Sequence, residues 1–185
     1  MSRFTPLPSR LDGLALLERR VMADERGGLQ RMFCRDDLAG AGWRGDVVQS
    51  NLTLTRRKGT LRGLHFQHPP HAEIKAIACI RGAVFDVAVD IRRGSKTFLE
   101  WEGHVLSHDN ARTFVLPQGF AHGFQALTDD AEMLYFHSAA HSPEHEGGLN
   151  ALDPAIAIAW PEPVSLMSER DRALPGIAGF EGVET

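Results

Sequence analysis

The run Leu61-Arg62-Gly63-Leu64-His65-Phe66-Gln67, the nearby Lys75 and the later Gly119-Phe120-Ala121-His122-Gly123-Phe124 gather an arginine, a lysine and two histidines into otherwise apolar, β-rich surroundings. Imidazole titrates near neutrality, so His65 and His122 suit proton transfer or polarisation of a substrate group. Arg62 and Lys75 suit contact with an anion or a developing oxyanion. Lys75 shares its parity with Ile77 and Cys79, so it points into the core if they do. A buried ammonium then needs a bound anion or an acid such as Asp86. Tyr135, the single tyrosine, lies in the apolar run Met133-Leu134-Tyr135-Phe136, where a phenol either packs or donates a proton into a cavity. Plainer readings exist: a structural histidine at 65, a snorkelling strand-end lysine at 75, packing at 122. The crowding of these groups into two short segments favours chemistry.

Strands must carry them. The patterns predict strands over 29–34, 47–55, 74–80, 83–90, 97–106, 110–116, 123–127 and 132–138, separated by Gly, Pro and Asp breaks. A short helical turn is expected over 36–41 before Gly42, and 12–20 reads as either a short helix or a strand. Many short strands without repeats imply an all-β sandwich or barrel. The proline-punctuated last forty or so residues (Pro154, Pro161, Pro163, Pro175) should wrap it as loops and a short helix. Glycines flank His122, where they let the backbone either pass close to a ligand or turn sharply.

With 185 residues and 43% hydrophobic content, the chain suits one domain spanning 1–185 with a sizeable core. A net charge of -4 argues against general affinity for nucleic acid or acidic membranes. No 18-residue apolar run predicts a membrane span, and Met1-Ser2-Arg3-Phe4-Thr5-Pro6 lacks a secretion signal. The two cysteines are far apart, and Cys79 reads as a small core residue. A cytoplasmic protein is expected. A metal-dependent alternative would draw His65, His68, His71, Glu73 and His122 into a ligand set, although His68 and His71 sit in a Pro-Pro turn expected to face solvent.

Taken together, Gln49-Ser50-Asn51, the 59–67 run, Lys75, Val84 to Ser95, Pro117 to Phe124, Leu134-Tyr135, Pro143-Glu144-His145-Glu146, Leu152-Asp153-Pro154 and Ser168-Glu169-Arg170-Asp171 resemble one family in order and spacing. That family is the dTDP-4-dehydrorhamnose 3,5-epimerases, cupin-fold enzymes acting on nucleotide-linked 4-keto-6-deoxy sugars. The resemblance implies a cupin or jelly-roll barrel with short peripheral helices, no metal and no organic cofactor. It implies that His65 is the base, oriented by Asp171, and that Tyr135 returns a proton on the opposite face. Lys75 and His122 would hold the enolate oxygen. Arg62 and Arg170 would meet the diphosphate, with Gln49, Ser50, Asn51, His141 and Glu146 around nucleotide or sugar. Arg26 would come from the neighbouring subunit of a homodimer with exchanged N-terminal strands.

The chain departs from the family pattern at Leu29, Arg31, His141 and Ala151, positions at or near base recognition. The implied function is therefore epimerisation of a nucleotide-diphosphate 4-keto-6-deoxyhexose at carbon 3, carbon 5 or both, with the nucleotide left open. Rivals are a single-carbon epimerase on another nucleotide sugar, a metal-dependent cupin enzyme, and a non-catalytic nucleotide-sugar-binding cupin.

Overall fold

The run Ala131–His137 alternates cleanly: Ala131, Met133, Tyr135 and His137 are buried and the residues between them are half-exposed. Such alternation marks a strand with one face on a core. The computed structural model describes residues 2–185 and contains thirteen strands. They are β1 (Phe4–Leu7), β2 (Ala15–Arg19), β3 (Val21–Asp24), β4 (Gly27–Gln30), β5 (Gln49–Thr55), β6 (Leu61–Gln67) and β7 (Lys75–Arg81). They continue with β8 (Ala83–Asp90), β9 (Trp101–Ser107), β10 (Arg112–Leu116), β11 (Phe120–Ala126), β12 (Ala131–His137) and β13 (Glu146–Gly148). Two α-helical turns, α1 (Arg35–Leu38) and α2 (Glu169–Arg172), and two 3₁₀ turns, Ala39–Ala41 and Pro143–His145, lie outside the sheets.

One sheet of six strands runs β1-β2-β10-β7-β12-β5, and one of five runs β13-β6-β11-β8-β9. Every pairing within them is antiparallel. Their inner faces share a core of Leu16, Ile77, Cys79, Val84, Leu106, Phe114, Phe124, Met133 and Tyr135. This is the expected all-β barrel of the cupin type. The C-terminal segment wraps it as expected: Ile156, Met167 and Val183 cover Leu61, Leu64, Val87 and Val89 on the outer face of the five-stranded sheet. A central strand covered on both sides loses its alternation, so all seven residues of β11 are buried.

Several boundaries differ from expectation. The strand expected over 29–34 ends at Gln30, because 27–30 folds back on 21–24 as a hairpin closed at Glu25-Arg26. The 97–106 strand begins only at Trp101, since the Asp90 carboxylate accepts hydrogen bonds from Ser95 Oγ and Thr97 Oγ1 at 2.6 Å each and holds a turn there. The segment 12–20 resolves to a strand. His122 lies within a strand rather than a turn, so its following glycine marks a close approach, to backbone of the same chain.

That approach controls the site. Between β6 and β11, His122 pairs with His65 but Phe124 pairs with Arg62, so three steps on β6 oppose two on β11. A regular strand would aim Arg62 and His65 to opposite faces. The extra residue reverses the parity and lets both line one cavity. At Gly63 (φ +113°) a Cβ would stand 2.6 Å from both Gly123 Cα and the His122 carbonyl oxygen. Gly63→Ala is therefore expected to cost on the order of 3 kcal/mol in denaturant unfolding. A loss below about 1 kcal/mol, the scale of an ordinary surface change, would show that the strands can move apart.

Candidate active site

A cavity of about 750 Å³ opens between the two sheets at one end of the barrel. Strand parity decides what reaches it. On β12 the inward residues are Tyr135 and His137, on β7 Lys75, and on β5 Gln49, Asn51 and Thr53. The five-stranded sheet contributes Arg62, His65 and Gln67 from β6 and His122 from β11, while Glu146 enters from β13. His141 and Ser168 come from later connections, and Arg170 and Asp171 from α2.

The strongest local constraint is on His65. Its Nε2 lies 2.8 Å from Asp171 Oδ1, and Asp171 Oδ2 accepts from the Gly63 backbone N–H at 3.3 Å. Asp171 is the third residue of α2, which Ser168 caps: the Ser168 Oγ accepts from the Asp171 N–H at 3.0 Å. A carboxylate is an acceptor only, so Nε2 carries the proton and Nδ1 is the basic nitrogen of neutral His65. Burial draws the His65 pKa below 6.5, and the charges of Arg170 and Lys75 add to that effect while Asp171 opposes it.

His122 faces a second carboxylate. Its Nε2 lies 3.0 Å from each oxygen of Asp86, which is completely buried. Lys75 points inward as expected, but its partner is Glu73 rather than Asp86: Nζ lies 3.0 Å from Glu73 Oε1. The strand places Asp86 beside Phe124 on β11, within reach of His122, whereas Glu73 precedes Lys75 by two and shares its side. The other Glu73 oxygen lies 3.0 Å from His137 Nδ1. Burial alone would push the Glu73 carboxyl up, but the His137 hydrogen bond and the Lys75 charge bring it to about 2.

Tyr135 stands close to His122, with ring centroids 6.0 Å apart and edge-on, and is nearly parallel to His137 at the same separation. Burial pushes its pKa far up, and the negative charge of Asp86 adds to that. It is thus a neutral phenol across the accessible pH range. At the mouth, Arg170 pairs with Glu146, and His141 Nε2 lies 3.9 Å from the same carboxylate. Arg62 lines the cavity without a carboxylate partner among the described residues.

Of the residues singled out in the sequence, His65, Lys75, His122, Tyr135, Asp171, Gln49, Asn51, Arg62, His141, Glu146 and Arg170 all line this one cavity. Ser50 does not. It sits between two inward residues and turns away, its Oγ donating to the Tyr135 carbonyl at 3.0 Å. Arg26 does not reach the cavity of its own chain; it lies exposed at the tip of the β3–β4 hairpin, paired with Asp24 at 2.6 Å. The metal set is not assembled: His65 and His122 turn to carboxylates, His68 is exposed, and His71 packs against His145 with ring centroids 4.2 Å apart and the planes tilted by 36°. Among the described residues no three His, Cys, Asp or Glu side chains are grouped to hold a metal ion. Sequence reasoning missed His137 altogether and weighed Glu73 only as a metal ligand. The available signal was parity, since 137 follows Tyr135 by two and 73 precedes Lys75 by two.

The model of the family described as dTDP-4-dehydrorhamnose 3,5-epimerase matches residues 8–179. The chain belongs to that family. It is 42% identical over 176 residues to the dTDP-4-dehydrorhamnose 3,5-epimerase of Streptomyces griseus, covering 94% of this chain and 87% of the relative. It is 39% identical over 166 residues to the dTDP-4-dehydrorhamnose 3-epimerase of Streptomyces niveus, covering 89% of this chain and 80% of that protein. Among solved structures, the dTDP-6-deoxy-D-glucose-3,5-epimerase of Legionella pneumophila in complex with dTDP-4-keto-L-rhamnose superposes with a TM-score of 0.91 at 36% identity, covering 98% of this chain and 99% of that one. Membership makes the protein an enzyme of the isomerase type, and the family's cupin fold is the one described above. No helix among the described residues is long and apolar enough to cross a membrane.

The His65 environment sets a pH dependence. Protonation on the acid side removes the basic nitrogen, and burial moves that event below pH 6.5. The acid limb of the kcat/KM profile should therefore have its midpoint below pH 6.5, as read by initial rates across pH. An acid limb centred above 6.5 would contradict a buried neutral His65.

Proposed function

We propose that the protein epimerises a nucleotide-diphosphate 4-keto-6-deoxyhexose, of the dTDP-4-dehydro-6-deoxyglucose type, by proton transfer without a cofactor. The observation that carries this reading is that a carboxylate-held imidazole and a buried neutral phenol enter one cavity from opposite sheets. His65 comes from β6 with Asp171 behind it, and Tyr135 comes from β12 of the facing sheet.

Chemically, His65 Nδ1 takes the proton from the carbon beside the ketone, and the C–H electron pair moves to form an enolate with its charge on the former carbonyl oxygen. Such a carbon acid is too weak for imidazole unless that oxygen is stabilised in advance. Lys75 offers an ammonium for it, and His122, held through Nε2 by the fully buried Asp86, presents its ring to the same cavity. Tyr135 then delivers a proton to the opposite face as the carbonyl re-forms, which inverts the centre with no net oxidation or reduction. A phenol held neutral by burial is an adequate acid here because the enolate carbon is far more basic.

The diphosphate reading rests on Arg62, the cavity guanidinium with no carboxylate of its own among the described residues, with the Arg170–Glu146 pair lining the same cavity. Gln49, Asn51 and His141 supply further polar groups for sugar or nucleotide. Relatives named for one epimerisation and for two are about equally similar to this chain, at 39% and 42% identity.

A homodimer completes the reading. The β3–β4 hairpin forms a separate two-stranded sheet and presents Val21, Leu29 and Arg26 to solvent. An isolated hairpin is poorly stable alone, and a second copy is the occupant that would cover it and receive Arg26 in its cavity.

Incubation with dTDP-4-keto-6-deoxyglucose in deuterated water tests substrate, reaction and position together, since deuterium marks each carbon that reacts. His65→Ala should slow exchange by about 10²–10⁴-fold with nucleotide binding retained; wild-type exchange in this variant would remove His65 from the base role. Tyr135→Phe should retain exchange and reduce inverted product by a similar factor. Sedimentation should give twice the chain mass, with Arg26→Ala raising KM roughly tenfold and leaving that mass unchanged, as for loss of one charged contact. A monomeric active enzyme would end the exchanged-hairpin reading.

A further inference from the structure

His137 is an inward-facing imidazole that no step of the proposed reaction uses. It is cross-strand partner to Lys75 in the β7–β12 ladder, and both side chains point to the cavity side. Glu73 bridges them, one carboxylate oxygen 3.0 Å from Lys75 Nζ and the other 3.0 Å from His137 Nδ1. Two bonds lock the ladder beside this bridge: Ile74 N–H donates to Ser138 Oγ at 2.8 Å, and Ser138 N–H donates to the Ile74 carbonyl at 3.0 Å. The positions of Glu73 and His137 are therefore set by the sheet.

The far nitrogen of His137, Nε2, is buried and has no hydrogen-bond partner. An unpartnered buried polar atom is a cost that an aliphatic side chain of similar size would not carry. A ring retained for packing alone would be better replaced by leucine, so the functional atom is Nδ1 and its contact with Glu73. The charge at Lys75 supplies the reason. With Glu73 as its sole anion, a buried ammonium is held so tightly that little of its charge remains for a substrate oxygen. A second donor on the same carboxylate shares that negative charge and keeps the carboxylate in place when Nζ turns toward a new anion.

We propose that His137 is a positioning residue which, through Glu73, fixes where the Lys75 ammonium stands and leaves it available to the enolate oxygen. The inference rests on the epimerase reading for its kinetic consequence, but the geometry it asserts does not. It adds Glu73 and His137 to the site as a unit that acts through Lys75 without touching the reacting atoms.

Two polar substitutions separate this role from structural support. His137→Asn puts an amide N–H near the place of Nδ1–H and keeps the Glu73 contact, whereas His137→Gln puts it near the place of Nε2 and loses that contact. The Gln variant should lose roughly tenfold to a hundredfold in kcat with KM within about twofold, the mark of a misplaced stabilising group, and the Asn variant should recover most of that loss. Crystal structures give the independent readout: in the Gln variant the Glu73 carboxylate, no longer held by a second donor, should shift and draw Lys75 Nζ with it away from its wild-type position, and in the Asn variant both should keep their places. Equal kcat in the two variants, a loss confined to KM, or an unmoved Lys75 in the Gln variant would each overturn the proposal. Absence of deuterium exchange in the wild-type protein would instead count against the epimerase reading, and the two crystal structures would still decide whether His137 positions Lys75.

Discussion

The cavity depends on matching its basic side chains, buried and exposed alike, with carboxylates. His65 has Asp171, His122 has Asp86, Lys75 and His137 share Glu73, and Arg170 and His141 share Glu146. Without these partners, several cationic or basic groups in one partly enclosed space would raise one another's energy, and each would carry an uncompensated desolvation cost. In three of these arrangements the carboxylate is more buried than the base it serves: 6% against 31% for Asp171 and His65, 0% against 8% for Asp86 and His122, and 19% against 59% for Glu146 and Arg170. Acceptors thus lie behind and donors in front. A cavity built this way repels nothing while empty and favours negative charge where a substrate oxygen would stand.

Arg62 is the exception, and its isolation is informative. A guanidinium with no carboxylate retains its full charge for an incoming anion, and it sits at a strand irregularity that would not exist without two glycines. The same irregularity aims His65 inward. One local departure from ideal sheet geometry therefore places both an anion contact and a candidate base on the same wall, three residues apart, which regular alternation forbids.

Much of this was readable in the sequence, for physical reasons that differ by element. The strands over 83–90 and 132–138 were visible because β-branched and alternating patterns report burial directly, and the inward direction of Lys75 followed from its parity with Ile77 and Cys79. The 36–41 turn was visible because Gly42 ends it with φ at 90°. What was hidden is what depends on neighbours distant in sequence. The partner of Lys75 was misjudged because Asp86 is drawn to His122 across the β8–β11 ladder. Ser50 was grouped with Gln49 and Asn51 as a motif, although adjacent strand residues cannot all face one cavity. His137 carried no motif at all, and its meaning arises only once Glu73 is seen between it and Lys75.

The C-terminal segment links the fold to the chemistry. Asp171, which fixes the His65 tautomer, is held by a four-residue helical turn too short to be stable by itself. Its position is fixed from outside: Met167 is buried against the outer face of the five-stranded sheet, the Leu166 carbonyl accepts from Leu61 N–H at 2.9 Å, and Ser165 N–H donates to the Gly59 carbonyl at 3.0 Å. Burial of Ile156, Met167 and Val183 contributes roughly 1.5–3 kcal/mol each to holding this wrap in place. The strand that bears His65 and the tail that bears Asp171 are therefore pinned to the same residues of β6 and its approach. A shift of the tail along the sheet would move the carboxylate relative to the imidazole, and the barrel's outer packing is in this sense what keeps the inner base basic.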